Sequence, residues 1–383
     1  MNAYLDYQSS KPVDPRVIKA MDPYFNETFG NPSSLHSVGD EATEALDKSR
    51  SKIADLIQAE PNEIIFTSGA TESNNLALIG YALKNKGKGK HIIISETEHI
   101  SIHNTAKFLI KSGFDVSKVP VDHYGRVHPD KIIERLTDDS LLVSIGFASN
   151  EVGTIQPIKE IGRLCRKKGI AFHTDAVAAE GLLDLDVKKN AIDLMTLSSN
   201  DIYGPKGLGV LYVRKGIKLM PQMIGGGQEN GIRSGTENLP AIAGMARASE
   251  IVMQEREEEA KKLQSFRDRL IKEILENIPR SYLNGHPEKR LPNNAHFRFD
   301  GIEGESLLLS LNDKGIAVST GSACSSKTLE PSHTLIAMGL LHEEAHGSLE
   351  LTAGRFTKES DIESVTKALP EVVDRLRKLS PIY

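Results

Sequence analysis

The chain has 383 residues, with 47 Lys and Arg against 52 Asp and Glu and a net charge of −5, so no basic excess argues for nucleic acid. That length exceeds what one hydrophobic core usually fills, and two domains are expected. No run reaches the roughly 18 apolar residues that span a bilayer, no leader pattern opens the chain, and two cysteines make no disulfide framework, so a cytoplasmic protein away from membranes is expected.

The first helical pattern covers 41–57, where Ala42, Ala45, Leu46, Ser49, Ile53 and Leu56 recur at helical spacing. Short β-branched runs follow at 64–66, 91–94, 141–145, 194–197 and 210–213. Their alternation with helical patterns predicts an α/β fold whose mainly parallel sheet is covered on both faces. Near residue 250 the composition shifts, and 254–278 sets Leu263, Phe266, Leu270, Ile274 and Ile278 on one stripe before Pro279 ends the run. A long helix joining two domains is expected there. Strands at 294–299 and 348–352 and helices at 303–312 and 360–379 come next, the last kinked or restarted at Pro370. The expected division is a large α/β domain over 15–250 and a smaller α+β domain built from 1–14 and 251–383. No internal repeat or low-complexity tract is present.

Several segments carry chemistry-bearing residues. In "IIFTSGATESNNLAL" (64–78), an apolar strand leads through small residues into a helix, so backbone N–H groups and a Thr hydroxyl can approach a phosphate. An ordinary strand-to-helix cap has the same appearance. Asp175 follows a short strand in "FHTDAVAAEGLL", at the end where α/β sheets hold ligands, though an N-cap would also place an acid there. "HEEAH" (342–346) matches a zinc-protease pattern, but Gly347 and a strand-like run follow at once, and a chance match accounts for it better. Cys165 shares a helical face with Ile158, Ile161 and Leu164 and reads as buried filler. Cys324 lies in the polar "VSTGSACSSKTLEP", where a thiolate can be exposed and nucleophilic.

In order along the chain, "YLDYQSSKPVDPRV", "FGNPSSLHSVG", "FTSGATESNNLAL", "ETEHISI", "SNEVGTIQPI", "HTDAVAAEG", "YGPKGLGVLYVR", "GGGQENGIRSGTENLPAIAGM", "STGSACSSKTLEPS" and "AHGSLELTAGRFTKE" resemble the cysteine desulfurases of the NifS/IscS type. These belong to the class V aminotransferases, pyridoxal-phosphate enzymes of fold type I. The resemblance implies that Ala70, Thr71 and Ser198 cradle the cofactor phosphate, with Thr236 reaching it from the other subunit of a homodimer. It also implies that His99 stacks on the ring, Asn150 bonds the ring oxygen, and Asp175 pairs with the pyridinium nitrogen and makes the ring an electron sink. Cys324 would take sulfur from substrate cysteine as a persulfide. A scaffold protein of the IscU type would dock near 360–383.

Four positions depart from the family pattern. The turn before "YGPKG" reads Asn200-Asp201 where the family has His-Lys, the Lys being its Schiff-base residue. Ala178 replaces a Gln that bonds the ring oxygen, and Glu350 replaces the Arg that grips the substrate carboxylate. Loss of a positioned acid–base group typically removes about 10²- to 10⁴-fold in rate. An acid ~4 Å from a substrate carboxylate costs roughly 4 kcal/mol at intermediate dielectric. Lys206 offers no replacement, because the family carries that Lys as well; Lys11, where the family commonly has Thr, is the one novel lysine in a motif. Three readings follow: a sulfur-trafficking homologue whose Cys324 carries a persulfide or helps ligate an iron–sulfur cluster with a scaffold; an active desulfurase with non-covalent cofactor or a relocated lysine; and a non-catalytic subunit.

Overall fold

The computed structural model describes residues 3–320 and 331–380. Cys324 and the cluster or persulfide chemistry expected of it lie outside the described residues.

Among the described residues the strands are β1 (Ala3–Tyr4), β2 (Ile64–Thr67), β3 (His91–Ser95), β4 (Asp115–Val119), β5 (Ser140–Ser144), β6 (Ala171–Asp175), β7 (Leu194–Ser198), β8 (Gly209–Val213), β9 (Ser281–Asn284), β10 (Asn294–Phe299), β11 (Ile316–Ala317) and β12 (Ser348–Thr352). Seven of them form one sheet in the order β2-β8-β7-β6-β5-β3-β4. Only β8 runs against its neighbours, pairing antiparallel with both β2 and β7. The result is the fold type I architecture, a mixed but mostly parallel central sheet. Strands such as IIFT, HIIIS and LMTLS are buried throughout because helices cover both faces of the sheet. The edge strand β4, DVSKV, is mostly polar and only partly buried, so it carries no apolar signature in the sequence.

The topology also places the site. The carboxyl ends of β2, β3, β5, β6 and β7 lie along one edge of the sheet, and β8 begins beside two of them, with Gly209 opposite both Thr67 and Ser198. Asp175 ends β6 at that edge, and the segments leaving it carry Ala70, His99, Asn150 and Asn200. Ligands of open α/β sheets bind at this edge.

The helix Leu239–Asn277 is longer than the stripe at 263–278 predicts, because its first turns, from Leu239 to Val252, are buried and the helix packs on the helices Ser37–Leu56 and Pro15–Met21. Its later stripe, Leu263, Phe266, Leu270 and Ile274, is buried in a core that also takes in Phe297, Phe299, Leu349 and Leu351 of the antiparallel sheet β12-β10-β9. The helix Glu359–Leu379 passes through Pro370 as one element, so the restart expected there does not occur. Packing of Ile362, Val365, Leu369, Val372 and Val373 holds the helix on both sides of the proline. No described helix is long and apolar enough to cross a membrane.

Candidate active site

A cavity of about 250 Å³ opens at the carboxyl edge of the sheet, lined by Gln8, Ser9, Ala70, Thr97, Glu98, His99, Gly146, Ala148, Asn150, Asp175, Val177, Ala178, Ser198, Asn200 and Asp201. Eight residues that the sequence singled out therefore share one wall: Ala70, His99, Asn150, Asp175, Ala178, Ser198, Asn200 and Asp201. Thr71, Thr236 and Glu350 are not on it, and Thr71 and Thr236 are exposed at the surface of the single chain.

Asp175 ends β6, and both its carboxylate oxygens are engaged. Oδ1 accepts from the Val177 N–H at 3.1 Å and Oδ2 from Asn74 Nδ2 at 2.7 Å. Asn74 also donates to Ser101 Oγ at 3.0 Å. With its oxygen occupied as an acceptor, the Ser101 hydroxyl donates to His99 Nδ1 at 2.8 Å, and the Ser101 N–H approaches the same nitrogen at 3.2 Å. His99 Nδ1 is thus an acceptor, which puts the imidazole proton on Nε2. Asn74 and Ser101 fix the ring and the carboxylate relative to each other; "TESNN" and "HIS" contain both residues, but nothing in the sequence marks them as partners of Asp175 and His99.

Backbone closes the cavity beside Ala70 and Ser198. Gly69 has φ 152° and leads into the helix that begins at Ala70, whose first N–H groups lack intrahelical partners. A Cβ at Gly209 would lie 2.6 Å from Gly69 Cα, so only glycine lets β8 start this close to the turn. A backbone turn leading to Ala70, an anchored carboxylate at Asp175 and an imidazole whose Nδ1 accepts, all in one cavity, fit a phosphate-bearing pyridine ring such as pyridoxal phosphate.

The covalent anchor is a different matter. Asp201 lies in the turn Ser199–Ile202, closed by Tyr203 at φ 63°, and no lysine or arginine is among the described residues of the cavity wall. Lys11 sits behind that wall. Its Nζ donates to the Asp201 backbone carbonyl at 2.5 Å and stands 3.9 Å from the Asp201 carboxylate, with 7% of the lysine exposed. The segment carrying Lys11 is fastened to the same turn, since the Asp14 N–H donates to the Tyr203 carbonyl and Arg355 binds Asp14 and Glu259. Burial pushes the Asp201 carboxyl up, and Lys11 pulls it back.

Two further buried acids escape sequence reasoning. Glu98 accepts from the Gly146 N–H at 2.9 Å, and burial pushes its carboxyl up to about 8. Glu180 accepts from the Ser198 N–H at 2.7 Å while its Oε1 has no partner, and burial raises its carboxyl far above the usual range. These acids sit in "TEHIS" and "DAVAAEG", where an acid among small and apolar residues is the available signal. Glu350 lies in β12, accepts from Asn294 Nδ2 at 3.1 Å and is 5% exposed. Its carboxyl is raised well above the usual range by burial and by nearby Glu151 and Asp6. Glu350 does not line the cavity, and its carboxyl is bonded to Asn294 of the antiparallel sheet.

His342–His346 is a five-residue helix, and no cluster of three or more His, Cys, Asp or Glu among the described residues could hold a metal ion. Cys165 is buried and its thiol is pushed up to about 12.

Residues 3–365 match the aminotransferase class-V family, and the chain belongs to it. Within that family it is a homologue of the IscS-type cysteine desulfurases. It is 56% identical over 380 residues to cysteine desulfurase IscS 1 of Archaeoglobus fulgidus, covering 99% of each chain. It is also 51% identical over 379 residues to cysteine desulfurase IscS of Methanosarcina thermophila, covering 99% of this chain and 94% of the other. A solved NifS-like protein superposes with a TM-score of 0.92 at 36% identity, over 98% of this chain and all of that one. The family implies pyridoxal phosphate as cofactor.

Proposed function

We propose that this chain is a sulfur-handling homologue of the cysteine desulfurases, in which Cys324 carries sulfur as a persulfide for iron–sulfur cluster assembly while cofactor-driven turnover of cysteine is impaired. The observation that supports this reading is the composition of the cavity wall, which includes Asp201 and no described lysine. Pyridoxal phosphate, when bound, would supply an electron sink for bond breaking next to an amine. Ala70 and Ser198 would hold its phosphate end, His99 and Asn150 its ring, and Asp175 its ring nitrogen. Asp201 has no neutral amine to offer as proton shuttle. The chain works as a homodimer, with Thr236 completing the partner's phosphate site, and docks an IscU-type scaffold; Cys324 would also serve as a cluster ligand shared with that scaffold.

The test measures sulfide release and persulfide on Cys324 with cysteine as donor, in wild type, Cys324→Ser and the double variant Lys11→Thr with Asp201→Lys. Slow turnover in wild type, faster in the double variant and absent in Cys324→Ser, is the expected pattern. Wild-type turnover equal to that of a folded double variant overturns the impairment. A second reading, an active desulfurase with non-covalent cofactor, is favoured by the intact chain from Asp175 through Asn74 and Ser101 to His99.

A further inference from the structure

We propose that Lys11 is a positioning residue of the cavity: by pairing with Asp201 it turns that wall from a lone anion into an internal ion pair, which allows an anionic phosphate-bearing ring to enter. The inference rests on the reading that the cavity takes pyridoxal phosphate. Lys11 Nζ donates to the Asp201 carbonyl at 2.5 Å and stands 3.9 Å from its carboxylate, and the side chains are 7% and 9% exposed. A buried carboxylate without a partner is costly and repels other anions, whereas a paired one does neither. The other groups facing Asp201 are Ser198 at the end of β7 and Asn200 of its own turn, which favour the carboxylate, and the acids Asp175 and Glu180. Among the described residues, Lys11 is thus the cation that acts on Asp201.

Geometry also argues against Lys11 as a relocated covalent anchor. Lys11 and Glu180 line a separate, water-sized space of about 10 Å³ behind Asp201, and Asp201 alone of the three lines the main cavity as well. The lysine acts through Asp201.

Equilibrium binding of pyridoxal phosphate to the full chain, followed by dialysis and absorbance, tests the inference on wild type, Lys11→Met, and the double variant Lys11→Met with Asp201→Asn. Loss of the ammonium should weaken binding at least about tenfold, and removal of the stranded carboxylate should restore most of it. Thermal unfolding without cofactor gives an independent readout: Lys11→Met should melt below wild type, and Asp201→Asn should recover the loss. A Lys11→Met chain that fails to fold while the double variant folds supports the pairing equally. The inference is overturned if wild type binds no pyridoxal phosphate, if Lys11→Met binds as wild type does, or if the double variant is no better than Lys11→Met in either readout. None of these outcomes depends on sulfur at Cys324, so this failure and that of the sulfur-carrying reading are distinguishable.

Discussion

Asn74 is the structural partner of Asp175: its Nδ2 donates to Oδ2 at 2.7 Å, and the same amide donates to Ser101, the residue that orients His99. Replacing Asn74 with Ala would leave a carboxylate oxygen and a buried serine without their donor. A loss of about 1–3 kcal/mol of stability is expected, together with weaker binding of pyridoxal phosphate. Asn74→Asp should be worse for binding than Ala, since it sets a second acid against Asp175. Thermal melts and cofactor titration on both variants check this.

Much of that arrangement is legible in the amino-acid sequence. The strands with continuous apolar runs, the helix after Gly69 and the wall residues His99, Asp175 and Ser198 are all marked by pattern or motif. The features that carry no such mark have physical causes for it. β4 is a mostly polar edge strand with no apolar run, and the helix at Leu239 begins where burial on all sides removes the amphipathic stripe. Asn74, Ser101, Glu98 and Glu180 matter through partners distant in sequence, and spacing along the chain cannot show which residues meet across a sheet edge. Lys11 and Asp201 are 190 residues apart for the same reason.

The buried acids give stability a definite pH dependence. Burial pushes Glu98 up to about 8 and Glu151 up to about 7, so through the window from their unfolded values to these pKa values the folded chain holds protons that the unfolded chain has released. Their stabilisation is complete at low pH and is lost as pH rises through 7 to 8. Below pH ~6.5 the histidines oppose this trend: burial holds His173 and His296 down to about 3 and His103 down to about 4, so they favour folding only as pH rises. Above that pH the acids act unopposed by these histidines, and stability should fall by on the order of 1 kcal/mol per group between pH 6.5 and 8. Urea titrations across this range should show the decline, and Glu98→Gln, which keeps the acceptor for the Gly146 N–H, should flatten it. An unchanged slope in the variant would remove Glu98 from the account.

The two cysteines should separate cleanly under alkylation. Cys165 is 1% exposed, and burial raises its thiol to about 12, so almost no thiolate exists at neutral pH. Iodoacetamide on the native chain should leave Cys165 unmodified and react with it only after unfolding. Cys165→Ala should then leave persulfide formation unchanged, with a cost of at most about 1–2 kcal/mol in the melt from lost packing. Peptide mass mapping before and after denaturation distinguishes the two sites.

Restoring the family's lysine requires two changes. Asp201→Lys alone would put a second ammonium beside Lys11 Nζ, which is now held on the Asp201 carbonyl and 3.9 Å from its carboxylate. Two like charges ~4 Å apart at intermediate dielectric repel by roughly 4 kcal/mol, and burial makes both ammonium groups costlier still. The single variant should therefore melt well below wild type, or one lysine should lose its proton. Combining Asp201→Lys with Lys11→Thr removes the repulsion and leaves one amine on the cavity wall. That double variant should recover most of the lost stability and retain pyridoxal phosphate through gel filtration better than wild type. Turnover should rise as well, though less than the full 10²- to 10⁴-fold expected of a positioned acid–base group, because Asn200 still lacks the imidazole that precedes the family's lysine. A single variant as stable as the double one would show that Lys11 swings away from residue 201 and that the two positions are not coupled.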